Sequence, residues 1–243
     1  GWFLQADSVD RSEPASTILV LHGNAGNVSS HLAFVEHFPG AGFNVFLFDY
    51  RGYGRSEKGK LRRGEIYRDA HAALELILSR RDVARDRIAI YAQSLGAAFG
   101  LPLMAERSEI RAAVIVSAFS CWREMTASVL GGDRPGIVAR MLSRWLMPAG
   151  LDPIEAIVRI NDRPVLLVHG TADEVVPYSH AERLVAAGGS NVSLRSVEGG
   201  DHNGLRWYDS SLDEAMAHFL KHSLNGAQKR EGRATPTDED HSR

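Results

Sequence analysis

The sequence predicts an α/β fold, a mostly parallel central sheet with helices on both faces, and three observations carry that prediction. Short apolar runs recur along the chain at intervals that leave room for a helix between them. At least one intervening stretch repeats its apolar residues at helical spacing, in Ile66, Ala70, Ala73, Leu74, Ile77 and Leu78. Several of the runs end in loops of glycine and polar residues, which is where open α/β sheets carry functional groups.

In chain order the candidate strands are Thr17 to Leu21, Val45 to Phe48, Arg87 to Tyr91, Ala113 to Val116, Val165 to Val168 and Asn191 to Val197. An amphipathic helix is expected from Glu65 to about Arg80, with its apolar stripe facing the sheet. A second is expected after Ser94, short or kinked because Pro102 removes a backbone donor at a cost of about 3 kcal/mol in a helix interior. The last helix carries Leu212, Ala215, Met216, Phe219 and Leu220 on one face, follows Ser210 and Ser211 as cap candidates, and should lie beside the loop holding His202. Residues 119–161 have a looser pattern and read as a cap inserted between two strands, with an Asp152 cap to the helix that begins at Pro153. One domain over residues 1–224 fits a chain of 243 residues with 44% apolar content. After Leu224 the apolar period ends, and residues 225–243 are expected to be a disordered tail.

The chemistry concentrates at the ends of strands. Tyr91-Ala92-Gln93-Ser94-Leu95-Gly96 puts a strand, a sharp turn and a helix around one serine, the context that lifts a hydroxyl clear of a sheet and aims helix N–H groups at a reacting carbonyl. The usual elbow has glycine where Ala92 stands, a departure of one methyl group. A serine hydroxyl is a poor nucleophile at neutral pH and needs a base, an acid that orients the base, and oxyanion donors. His202, in the loop Glu198-Gly199-Gly200-Asp201-His202, is the candidate base. Asp173, just past the strand ending at His169-Gly170, is the candidate acid, with Asp152 and Glu174 as rivals. The oxyanion donors would be the amides of Leu95 and of Asn24, or Ala25 in place of Asn24, in the loop His22-Gly23-Asn24-Ala25-Gly26-Asn27. Trp122, Met125 and Trp145 in the cap are candidate walls of an acyl pocket, against the plainer reading that they are core contacts of short helices.

The order Ser, Asp, His, together with His22-Gly23-Asn24-Ala25-Gly26-Asn27, Asp49-Tyr50-Arg51-Gly52-Tyr53-Gly54-Arg55-Ser56, Ser94-Leu95-Gly96 and Gly200-Asp201-His202-Asn203, resembles the α/β-hydrolase-fold serine hydrolases. The resemblance is to the small-cap branch that includes bacterial esterases and membrane-anchored eukaryotic members. It implies a carboxylesterase or thioesterase working through an acyl-enzyme, with a small-molecule acyl ester or thioester as substrate. Amide or peptide hydrolysis on the same residues, and a non-catalytic binding protein of the same fold, are the alternatives. Gly1-Trp2-Phe3-Leu4 resembles the middle of the family's second strand, so a segment upstream is expected. Membrane association would come only through such a segment, which leaves a cytoplasmic and an N-terminally anchored location both open.

Composition removes other classes. A net charge of −2 argues against a polyanion-binding surface, hence against nucleic acid as a partner. Cys121 is the single cysteine and cannot form an internal disulfide, no ligand set has metal spacing, and no cofactor is expected. Gly52 and Gly54 follow a strand as in a dinucleotide site, but Glu57 stands where the third glycine belongs. These glycines are expected to turn the backbone while Asp49 and Arg51 tie the loop down.

Overall fold

The computed structural model describes residues 1–7, 13–59, 61–132 and 135–231. Among these, seven strands form one sheet in the order β1-β3-β2-β4-β5-β6-β7. They are β1 (Trp2–Leu4), β2 (Ala15–Leu21), β3 (Asn44–Leu47), β4 (Val83–Gln93), β5 (Ile110–Val116), β6 (Val165–Gly170) and β7 (Val192–Val197). Only β1 runs antiparallel, against β3, and the remaining neighbours are parallel. The helices are α1 (Val28–His31), α2 (Arg63–Leu78), α3 (Ala97–Glu106), α4 (Trp122–Gly131), α5 (Ile137–Leu146), α6 (Pro153–Arg159), α7 (Ser179–Ala187), α8 (Leu205–Tyr208) and α9 (Leu212–Glu231).

Strand residues alternate between two cores, because a parallel sheet covered on both sides buries both faces. Leu19, Leu21, Ile88, Ile90 and Ala92 point into one, which α2, α3, α6 and α7 cover through Leu74, Phe99, Ile157 and Leu184. Ile18, Val20, Ala89 and Tyr91 point into the other, covered by Val28, Val35, Phe38 and by Leu212, Met216, Leu220 and Leu224 of α9. The central strand β4 thereby delivers Ser94 to the middle of the sheet's carboxyl edge.

Three expectations change. Of the two forms expected for the helix after Ser94, the short one is not adopted: α3 runs past Pro102 to Glu106 with the proline buried inside it. Within the segment 119–161, expected as a cap, α6 packs on α3 and puts Ala156 and Ile157 into the core, with Ile160 just past its end, so only the α4–α5 hairpin is left to the expected cap. The disordered tail expected from residue 225 does not hold for 225–231, because α9 runs to Glu231. Ala227, Gln228, Lys229, Arg230 and Glu231 are good helix formers that need no apolar period to extend an anchored helix. Residues 232–243 lie outside the described residues. The loop after β3 is as expected: Gly52 and Gly54 take positive φ, Arg51 is bound by Asp69 at 2.6 Å and by Glu65, and Asp49 accepts from the Val28 amide at 2.8 Å.

Candidate active site

Ser94 sits at the step from β4 into helix, with a φ of 50° and a 3-10 turn over Ser94–Gly96 that runs directly into α3. A non-glycine residue in the left-handed region costs about 1–3 kcal/mol and persists only where the surroundings over-determine it. Here packing does so. Ala92, which takes the place of the usual elbow glycine, faces Gly100 of α3, where an added Cβ would lie 2.9 Å from the Ala92 methyl. The room normally left on the strand is left on the helix instead.

Two other strand ends bring partners to the serine. At the end of β6, Gly170 lies so close to the next loop that a Cβ there would collide with the Gly200 carbonyl. Hydrogen bonds from the Thr171 amide to Val197 O and from the Ala172 amide to Gly200 O, both 3.0 Å, seal the two loops together. That closeness carries Asp173 to His202: Asp173 Oδ2 accepts from His202 Nδ1 at 2.7 Å, and His202 Nε2 lies 3.1 Å from Ser94 Oγ. The three expected residues thus form one hydrogen-bonded chain across the ends of β4, β6 and β7.

Asp173 is buried, and burial alone would raise its carboxyl. Hydrogen bonds from His169, His202 and the Val176 amide outweigh that and hold it well below the usual carboxylate range. Its Oδ1 accepts from the amides of Val175 and Val176 at 2.9 and 2.8 Å, so the carboxylate is fixed from both sides. Its rivals do not reach His202. Glu174 is exposed, and Asp152 Oδ1 accepts from the Trp122 amide at 2.8 Å, so it caps α4 and not its own helix α6 as expected.

The loop after β2 is held against the elbow by side chains whose roles only the fold reveals. A Cβ on Gly23 would lie 3.7 Å from the Ser94 Cβ. Burial pushes the His22 imidazole down to about 4, so it is neutral at pH 7 and Nδ1–H donates to Gly23 O at 2.8 Å. The Tyr50 hydroxyl donates to His22 O at 3.1 Å, and the Tyr53 hydroxyl to Asn24 Oδ1 at 2.7 Å. The Asn24 side chain is therefore engaged. Two more positioning contacts had no signal in the sequence: Ser117, at a φ of 49°, donates its hydroxyl to His202 O at 3.1 Å, and Gln93 Nε2 donates to Asn203 Oδ1 at 3.2 Å. Away from Ser94, His180 accepts at Nδ1 from the Ser120 amide at 3.1 Å, and His71 lies 3.4 Å from Glu106.

Of the cap candidates, Trp122 and Met125 pack against Ala98 in the first turn of α3, beside Phe119 and Val176. Trp122 is held by its Nε1–H on Leu151 O at 2.9 Å. Trp145 does not join them, since it projects from the outer face of α5 and is 82% exposed. Among the described residues no group of three or more His, Cys, Asp or Glu is placed to hold a metal ion.

Comparison with known proteins agrees with this architecture. Residues 12–154 match the family model "Serine aminopeptidase, S33", and residues 143–232 match that of "TAP-like protein". The chain is 31% identical over 230 residues to YfhR of Escherichia coli, covering 93% of this chain and 77% of that one. It is 32% identical over 211 residues to the α/β-hydrolase domain-containing protein aho-3 of Caenorhabditis elegans, covering 84% and 57%. Solved structures sharing the fold include the α/β-hydrolase GrgF from Penicillium, at TM-score 0.73 and 16% identity over 93% of this chain and 94% of that one. An esterase of Pyrococcus furiosus superposes at TM-score 0.72 and 19% identity, over 87% and 83%.

Proposed function

We propose that this chain, which belongs to the α/β-hydrolase family, cleaves carboxylic ester or thioester bonds with Ser94 as nucleophile, His202 as base and Asp173 as its orienting acid. The observation that carries the reading is the hydrogen-bonded chain from Ser94 Oγ through His202 to Asp173. Ser94 Oγ attacks the acyl carbonyl while His202 Nε2 takes its proton. Asp173, ionised well below neutral pH, keeps the Nδ1 proton in place and offsets the imidazolium charge.

The oxyanion would be bound by the backbone amides of Leu95 and Asn24, a role supported by the tight packing of the His22–Asn24 loop on the elbow. His202 then gives its proton to the departing alcohol or thiol, leaving Ser94 acylated. Water attacks the acyl-enzyme as His202 accepts a proton from it, and the acid leaves with Ser94 restored. Trp122 and Met125, over the first turn of α3, are the proposed contacts of a small-molecule acyl group.

A fluorophosphonate probe tests this directly: it should label the native chain and fail to label Ser94→Ala, whereas a folded native chain that resists labelling would favour a binding protein of the same fold. Amide or peptide cleavage is the second reading, favoured by the serine-aminopeptidase description of the matching family model. A panel of ester, thioester and amide substrates separates the two. Turnover of aminoacyl amides above that of esters would select the second.

A further inference from the structure

The α4–α5 hairpin presents an apolar surface to solvent that the hydrolytic site does not use. Ile137, Val138, Met141, Leu142, Trp145 and Leu146 of α5 are between 43 and 82% exposed. At 3.6 residues per turn these six occupy one continuous arc of about half the helix circumference. The other side of the helix is held down. Ser143 is buried, and Ala139 lies against the end of α4 at Gly131, where Val129 and Leu130 add two more exposed apolar side chains. The foot of the hairpin is fixed as well, by Arg123 Nε on Met147 O at 3.0 Å and by the Arg63 guanidinium on the carbonyls of Pro148 and Gly150 at 2.6 and 3.0 Å. An arc of this size left in water is the signature of an interaction surface.

Charge indicates what covers it. The helix has no acidic residue, and Arg140 and Arg144 follow the apolar arc along one edge. Behind them a cavity of about 270 Å³ is lined by Arg123, Arg140, Arg144 and Arg183 together with Ser179, and among the described residues that line it the one carboxylate is Glu124, which lies 3.3 Å from Arg183. This basic site is local, because the whole chain carries −2. An apolar helix face with an exposed tryptophan, edged by arginines, matches the boundary between acyl chains and anionic headgroups. A second copy of the chain fits less well, since twofold pairing of this face would bring the arginines together with no acid on the helix to meet them.

We infer that α5 docks the protein on anionic phospholipid bilayers, with the apolar arc in the acyl boundary and headgroup phosphates at the Arg123–Arg140–Arg144–Arg183 cavity. The attachment is peripheral, since no helix among the described residues is long and apolar enough to cross a membrane. It does not depend on the proposed hydrolysis, nor on any upstream anchor.

Sedimentation of the full chain with vesicles tests it, using phosphatidylcholine alone and phosphatidylcholine mixed with phosphatidylglycerol. The native chain should pellet with the mixed vesicles, more weakly with the neutral ones, and less as salt rises. The pair Met141→Ser and Trp145→Ser should lose about tenfold or more in affinity. Arg140→Gln with Arg144→Gln should lose roughly fivefold per arginine at low salt and flatten the salt dependence. All of these side chains are exposed, and unchanged thermal melts would show that the variants are folded. A native chain that stays in the supernatant, or variants that bind as well as it does, would overturn the inference. So would a concentration-dependent dimer abolished by Met141→Ser and Trp145→Ser, which would assign the face to a second copy.

Discussion

The rim that carries Ser94 and the α4–α5 hairpin beside it are built on opposite terms. At the rim the Ser94–His202–Asp173 groups are held from fixed backbone: Asp173 accepts from two amides and an imidazole, and the sealed loops of β6 and β7 hold His202. On the hairpin the large side chains of α5 point outward, and the body holds it through Trp122, Met125 and Ala127 of α4, through the buried Ser143 and through the loop at its foot. A chemical site needs atoms held within a few tenths of an ångström, whereas a surface that meets a fluid partner needs area and charge without fixed partners. The two regions should therefore respond to substitution in opposite ways.

The largest expected effect is at the serine. Ser94→Ala should lower kcat for ester hydrolysis by about 10⁶-fold with little change in melting temperature, and turnover within tenfold of native would remove the rim from the chemistry. Next, Asp173→Asn should cost about 10⁴-fold in kcat, because an amide no longer fixes the His202 tautomer; stopped assays against a matched ester would measure it.

Acid comes third. Burial lowers the imidazoles of His22 and His180 to about 4, so between the ordinary histidine value of 6.5 and about pH 4 the unfolded chain takes up protons that the folded chain refuses. Stability therefore falls as pH falls through that window, by up to about 3 kcal/mol for each histidine. Melting curves from pH 7 to 4.5 should slope downward, and a flat profile would contradict the buried neutral assignment. Gly170→Ala should destabilise by about 1–3 kcal/mol and reduce activity as well, since the new methyl forces the Asp173 and His202 loops apart. Smallest of all, Trp145→Ser should shift stability by no more than about 0.5 kcal/mol, in contrast to any rim substitution. A large destabilisation there would mean that the hairpin is core after all.

Much of the molecule was legible in its residues. Apolar runs with intervening helical spacing placed six of the seven strands to within a few residues, because burial on both faces of a parallel sheet leaves a direct trace in composition. The order of Ser94, Asp173 and His202, each in a loop past a strand end, was enough to nominate the site, because those loops lie along one edge of the sheet. What could not be read was whatever depends on the facing partner. Ala92 looked like a departure until Gly100 was found opposite it. Trp145 has the same helical context as Trp122, yet one is exposed and the other packs beside Val176, and no local pattern separates them. The Asp152 carboxylate sits at the start of its own helix and serves another.

The linear chain thus determined the secondary elements, the class of sheet and the chemical identity of the groups along its edge, since these follow from periodicity and residue type. Tertiary structure alone decided which groups meet, which apolar faces are covered and which remain in water. Those outcomes depend on contacts between residues far apart in the chain, such as Gly170 with Gly200 or Gln93 with Asn203, and such pairings are absent from any local window of sequence.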